Sequence, residues 1–119
     1  MASVFPNSAY NTEWKALTNG SKTDCVTVPT GHSYDITGIS VCASTGSAGN
    51  ATVAIYDLSS TTEFIICYNG IVGANCPLTI EGLPIHLATG DIVRVTGANL
   101  QNVSVSYTKT TSAANPAAT

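Results

Sequence analysis

The chain has 119 residues, enough for one domain that folds around its own core without a metal or a disulfide framework. Charged residues make up 9% of it and hydrophobic residues 44%, which excludes disorder, a state that needs weak hydrophobicity and strong net charge. The net charge is −3 and the basic residues Lys15, Lys22, Arg94 and Lys109 are scattered, so no basic stripe can be assembled for nucleic acid, and no run approaches the roughly 18 apolar residues of a membrane span.

In chain order, residues 1–13 mix Val4, Phe5, Pro6 and Tyr10 with amides and hydroxyls and show no period, so they read as an irregular N-terminal arm. The opening Met1-Ala-Ser-Val-Phe-Pro6 has no basic region leading into a long apolar run, so the expectation is synthesis in the cytoplasm without a signal peptide. Strand patterns then follow one another near 14–18, 25–28, 34–43, 51–58, 63–69, 78–81, 85–87, 91–96 and 103–108, bounded by Gly, Asn, Asp and Pro. They predict a body over residues 14–109 of eight or nine short strands and no helix. Residues 110–119 form a tail without period or charge.

The alternation is clearest in Ile39-Ser-Val-Cys-Ala43, Val53-Ala-Ile-Tyr-Asp57 and Val103-Ser-Val-Ser-Tyr107, where a period of two puts one face on a core. Phe64-Ile-Ile-Cys67 does not alternate and fits a strand covered on both faces, by the domain itself or by another subunit. Asn19-Gly20, Asn69-Gly70, Pro29-Thr-Gly31 and Ala88-Thr-Gly-Asp91 carry turn chemistry, and the Ser, Thr and Gly of residues 44–50 read as an exposed loop. With no crossover helices, the fold class is all-β: a single antiparallel β-sandwich, jelly-roll-like, with irregular terminal arms. A closed barrel is the main alternative.

No reaction site can be composed from the residues. His32 reads as a turn residue and His86 as the outward position of a short strand, and neither has a nucleophile beside it in sequence. The acids are isolated from one another, and Asp35 and Asp91 sit near strand starts, where a carboxylate bonds backbone N–H groups. No ligand-spaced loop suits calcium, and the cysteines lack the short paired spacings of zinc sites, so no metal or cofactor is expected. Without an export signal Cys25, Cys42, Cys67 and Cys76 read as buried thiols, and if one bridge exists it is Cys67 to Cys76, flanking a hairpin loop over residues 68–75. Asn19, Asn50 and Asn102 open N-glycosylation patterns, which read as unmodified for the same reason.

Trp14 and Tyr107 are expected to pack at the ends of the core. For a glycan-binding alternative, Tyr56 and Tyr68 are the rings to stack on sugars. The order of features resembles small virion structural proteins of tailed bacteriophages: Tyr10-Asn-Thr-Glu-Trp-Lys-Ala-Leu-Thr18, the Val28-Pro-Thr-Gly31 turn, Ile36-Thr-Gly-Ile-Ser-Val-Cys42, Ala51-Thr-Val-Ala-Ile-Tyr56, Leu87-Ala-Thr-Gly-Asp-Ile-Val-Arg-Val95 and a closing Val103-Ser-Val105. The likeness covers most of residues 10–108, and the four cysteines depart from it. It implies a non-enzymatic capsid decoration or cement protein on the virion surface, or a head or tail fibre component. The implied partners are the major capsid protein and copies of the chain itself, a homotrimer favoured, with Val4, Phe5, Pro6 and Tyr10 as the capsid-contact arm.

Overall fold

A β-strand buries one face most readily where every second side chain is apolar, and the central strands of this chain meet that condition on two facing sheets. The computed structural model describes residues 8–18, 20–44, 48–97 and 101–111, and among them are eight strands. These are β1 (Ser8–Ala16), β2 (Lys22–Thr27), β3 (His32–Ala43), β4 (Gly49–Asp57), β5 (Thr62–Val72), β6 (Leu78–Leu87), β7 (Ile92–Thr96) and β8 (Gln101–Thr111). One sheet has the order β1-β8-β3-β6 and the other β2-β7-β4-β5, with every neighbouring pair antiparallel. Only β4 and β5 are consecutive neighbours; the other connections pass from one sheet to the other. The result is an antiparallel β-sandwich of two open sheets, not a closed barrel.

The core lies between the sheets. Tyr34, Ile36, Ile39 and Val41 of β3 and Val103, Val105 and Tyr107 of β8 face Val53 of β4 and Val93 and Val95 of β7. Ile36 and Ile39 are both buried although an uninterrupted alternation would point them to opposite faces. The register shift between Ile36 and Gly38 inserts the extra residue that brings Ile39 back inward. A similar shift between Asp24 and Val26 buries both Cys25 and Val26.

Four expectations change. Residues 8–13 of the expected N-terminal arm belong to β1, which pairs along its length with β8; Val4, Phe5 and Pro6 lie outside the described residues, as does the tail beyond 111. The segments 78–81 and 85–87 are one strand, β6, interrupted by an irregularity in which three residues, Gly82 to Pro84, stand opposite Thr37. Asn69-Gly70 is not a hairpin turn: Asn69 takes a positive φ of 52° inside β5, and β6 belongs to the other sheet. Trp14 does not close the end of the core but stands outside it, because it pairs with Ser104, whose neighbours Val103 and Val105 take the inward positions.

The Ala88–Asp91 turn holds one end of the sandwich. Asp91 N–H bonds the Ala88 carbonyl at 3.0 Å, with Gly90 at φ 89° supplying the left-handed position. The buried Asp91 carboxylate accepts from the Ala88 N–H at 2.9 Å and from the Leu58 N–H at 3.0 Å, so it ties this turn to the β4–β5 hairpin. Leu58 lies directly over Gly90, where a Cβ would collide with its side chain.

Candidate functional site

Register sorts the outward side chains of the β1-β8-β3-β6 sheet into cross-strand rows. Tyr10, Thr108, Asp35 and His86 form one, Thr12, Ser106, Gly38 and Glu81 the next, and Trp14, Ser104, Ser40 and Thr79 a third. The centre of this face is therefore built of small hydroxyls, some bonded to each other: Thr12 Oγ1 to Ser106 Oγ at 3.1 Å and Ser40 Oγ to Thr79 Oγ1 at 3.4 Å. Tyr10 and Trp14 rise from its edge strand, 69% and 70% exposed. A shallow cavity of about 310 Å³ lies beside Trp14, lined also by Lys15, Ala16, Cys42 and Asn102.

The outward face of the β2-β7-β4-β5 sheet differs. Four charged residues meet there: Lys22 Nζ bonds Glu63 at 3.1 Å, Arg94 Nε bonds Asp24 Oδ1 at 2.8 Å, and Arg94 Nη1 reaches Glu63 at 3.5 Å. The hydrogen bond to Asp24 is the main reason that the Arg94 pKa lies above its ordinary value. The guanidinium also sits 4.6 Å from the centre of the Tyr56 ring. Tyr56 is therefore half-buried and covered on one side by Arg94, whereas Tyr68 on β5 is 77% exposed, so the two expected sugar-stacking rings stand in different settings.

Beyond Glu63, β5 presents Phe64, Ile65 and Ile71, exposed at 55%, 54% and 74%. The non-alternating run Phe64–Cys67 is thus not covered on both faces by its own domain; β5 is an edge strand, and Ile66 and Cys67 turn to the core while Phe64 and Ile65 do not. Near it Asn50 Nδ2 donates to the Asn69 carbonyl at 3.2 Å, and the Asn69 N–H donates to Thr52 Oγ1 at 2.9 Å. These residues line a polar depression of about 250 Å³ together with Gly20, Ala51, Thr96 and Gly97.

Elsewhere, described titratable groups meet one or two neighbours at a time. His86 Nδ1 meets Asp35 on the exposed sheet face, so Asp35 partners a histidine and not a turn. His32 is half-buried at the start of β3, and its carbonyl accepts from Thr89 Oγ1 at 3.1 Å. The Asp57 carboxylate accepts from Ser60 and Ser59 in the hairpin turn, which holds its pKa below the usual value. Tyr107 stacks on Tyr34 with ring centres 4.1 Å apart and donates its O–H to Glu13 at 2.7 Å. Burial and then that bond push its phenol well above the ordinary range. Among the described residues, no group of three or more His, Cys, Asp or Glu could hold a metal ion.

All four cysteines are free thiols, and the Cys67 to Cys76 bridge is not made in this structure. Cys25 is buried, which pushes its thiol up to about 11; Cys42 and Cys67 are half-buried and Cys76 is exposed. Cys76 shares a cavity of about 240 Å³ with Cys42, not with Cys67, because 73–77 is a crossing between sheets and not a hairpin loop. The surfaces that sequence reading missed are the outward Trp14 and the open apolar edge of β5. The signal for the first was present: Tyr10, Thr12 and Trp14 alternate with Asn11, Glu13 and Lys15.

No protein-family model and no curated protein matches the chain. Among solved structures, the nucleoplasmin-like N-terminal domain of Drosophila FKBP39 is similar in fold, with a TM-score of 0.53 and 15% identity, covering 88% of this chain and 91% of that one. More distant are the capsid asymmetric unit of cyanophage Pam1, with a TM-score of 0.45, 15% identity and coverage of 93% and 91%, and a pentameric capsid protein from metagenomic phage sequences. For the latter the TM-score is 0.38 and the identity 19%, and the match covers 92% of this chain but 65% of that one.

Proposed function

We propose that the chain is a non-enzymatic structural subunit of a virus particle, and more finely a capsid decoration or cement protein that clamps neighbouring capsid subunits. The observation that carries this reading is the placement of exposed apolar side chains on two opposed edges of one sandwich. Tyr10 and Trp14 stand on β1, at the edge of one sheet; Phe64, Ile65, Tyr68 and Ile71 stand on β5, at the edge of the other. Since β1 lies near β2 and β5 near β6, the two edges are diagonally opposite. A clamp needs two separate contacts, and contiguous exposed apolar surface on a soluble domain marks association. The resemblance noted in the sequence supports the same role, with the virion as its location and the major capsid protein as its partner.

Mass spectrometry of purified particles, and heat resistance of particles with and without the protein, test it. Stoichiometric presence in the particle and a lower disruption temperature without the protein are expected. Absence from particles would overturn the reading.

A receptor- or glycan-binding module is the second reading, favoured by the exposed Tyr68 ring, next in the chain to Asn69, which with Asn50 and Thr52 lines the depression. A stacking ring next to such polar groups suits a sugar. Glycan-array binding lost on Tyr68→Ala would support it, and an array without hits would remove it.

A further inference from the structure

We infer that the β5 edge is a self-association surface: two copies of this chain meet β5 to β5, antiparallel, about a two-fold axis near Tyr68. The inference does not depend on the virion reading. It differs from the trimer that the sequence resemblance implies.

The first ground is what the four edge strands carry. Sheet edges are normally guarded by charge, proline or irregular backbone, because an open edge recruits other chains. β1 carries Glu13 and Lys15, β2 carries Lys22 and Asp24, and β6 carries Glu81 and Pro84. β5 carries Glu63 alone, and that carboxylate is already engaged by Lys22 and Arg94 of its own sheet. From Phe64 to Val72 there is no charge and no proline, and the register shifts against β4 are the one guard of this kind that the strand keeps.

The second ground is self-complementarity. An isologous contact sets a patch against itself, so any net charge on the patch would repel its own copy, and this stretch has none. Ile65 pairs with Ala54 and Ile71 with Asn50, positions of the same parity on β4, so both isoleucines lie on the outward face. A two-fold axis at Tyr68 sets Ile65 of each copy opposite Ile71 of the other, with the two Tyr68 rings adjacent. The register shifts in β5 interrupt a continuous ladder, so these side chains carry the contact more than an unbroken row of backbone bonds does.

The third ground is area. At the exposures seen, Ile65, Tyr68 and Ile71 present on the order of 400 Å² per copy and Phe64, on the other face of the strand, about 100 Å² more, so a pair buries at most about 1,000 Å², the lower end of what a specific interface needs.

Sedimentation equilibrium of the full chain tests the proposal, using Ile65→Lys, Ile71→Lys and, as the control on the opposite edge, Trp14→Lys, each checked for unchanged far-UV circular dichroism. A two-copy species is expected for the unaltered chain and for Trp14→Lys, with dissociation at least about tenfold easier in each β5 variant. Hydrogen exchange over residues 64–72 should slow as the unaltered chain is concentrated, a readout that needs no variant. A monomer at concentrations up to on the order of 100 μM, well above micromolar dissociation constants, overturns the proposal. So does an odd-numbered oligomer, or a dimer indifferent to both β5 changes. None of these outcomes bears on whether the protein is found in particles.

Discussion

Two buried acids that hold their protons tightly set the pH response. Cys25 is pushed up to about 11 by burial, and Tyr107 is raised further by burial and its bond to Glu13. Above their ordinary values of 9.0 and 10.0 the unfolded chain releases protons that the folded chain keeps, so it binds fewer protons and stability must fall as pH rises. The contribution is fully present below about pH 9 and is lost as pH climbs through 11. Urea titrations at pH 7 to 11 should show that decline. Tyr107→Phe should flatten the part above pH 10 while costing about 1 kcal/mol at neutrality for the lost hydrogen bond. The same contrast governs the thiols. In the native protein iodoacetamide should alkylate the exposed Cys76 first and Cys25 only after unfolding, as peptide mass mapping over time would show; equal rates would contradict the burial of Cys25.

The elements are joined at one end by Asp91, whose carboxylate satisfies N–H groups on two different turns. Asp91→Ala leaves the Ala88 and Leu58 donors unpaired and should lower unfolding stability by about 2–3 kcal/mol in urea melts. Gly90→Ala should cost more than about 1 kcal/mol, since φ 89° disfavours a Cβ and Leu58 occupies its space. The backbone duty of Asp91 was legible in the sequence, because a carboxylate after a Gly at a strand start has few other uses; its reach to Leu58 was not. The alternating stretches, residues 39–43 of β3, 53–57 of β4, β7 and 103–107 of β8, were legible for the same local reason. Those misread carry a bulge or an inverted pattern. In β6, Gly82 to Pro84 break the period, and in β1 the aromatic side chains point outward while Asn11, Glu13 and Lys15 take the side that faces the core. Alternation reports that two faces differ, and only pairing with Val103, Val105 and Tyr107 says which face is inside.

At the scale of the molecule, few charges and no metal-holding cluster among the described residues direct attention to the sheet edges and the two outer faces. The hydroxyl-covered face is flat and self-satisfied, and the opposite face is locked by the Lys22, Glu63, Arg94 and Asp24 network. That leaves the apolar side chains at β1 and β5. If β5 joins two copies, the β1 edges lie at the far ends of the pair, and one pair can reach two sites on a shell. On the proposed virion role Trp14 serves contact with the particle and not folding, since it is 70% exposed and makes no part of the core. Trp14→Ser should change the urea midpoint little, within about 0.5 kcal/mol as for other surface substitutions, and leave the sedimentation of the free protein unchanged. Binding to particles that lack the protein should fall at least about tenfold, because exposed tryptophans that become buried at an interface carry much of its energy. A variant that binds such particles as tightly as the unaltered chain would remove the β1 edge from the clamp.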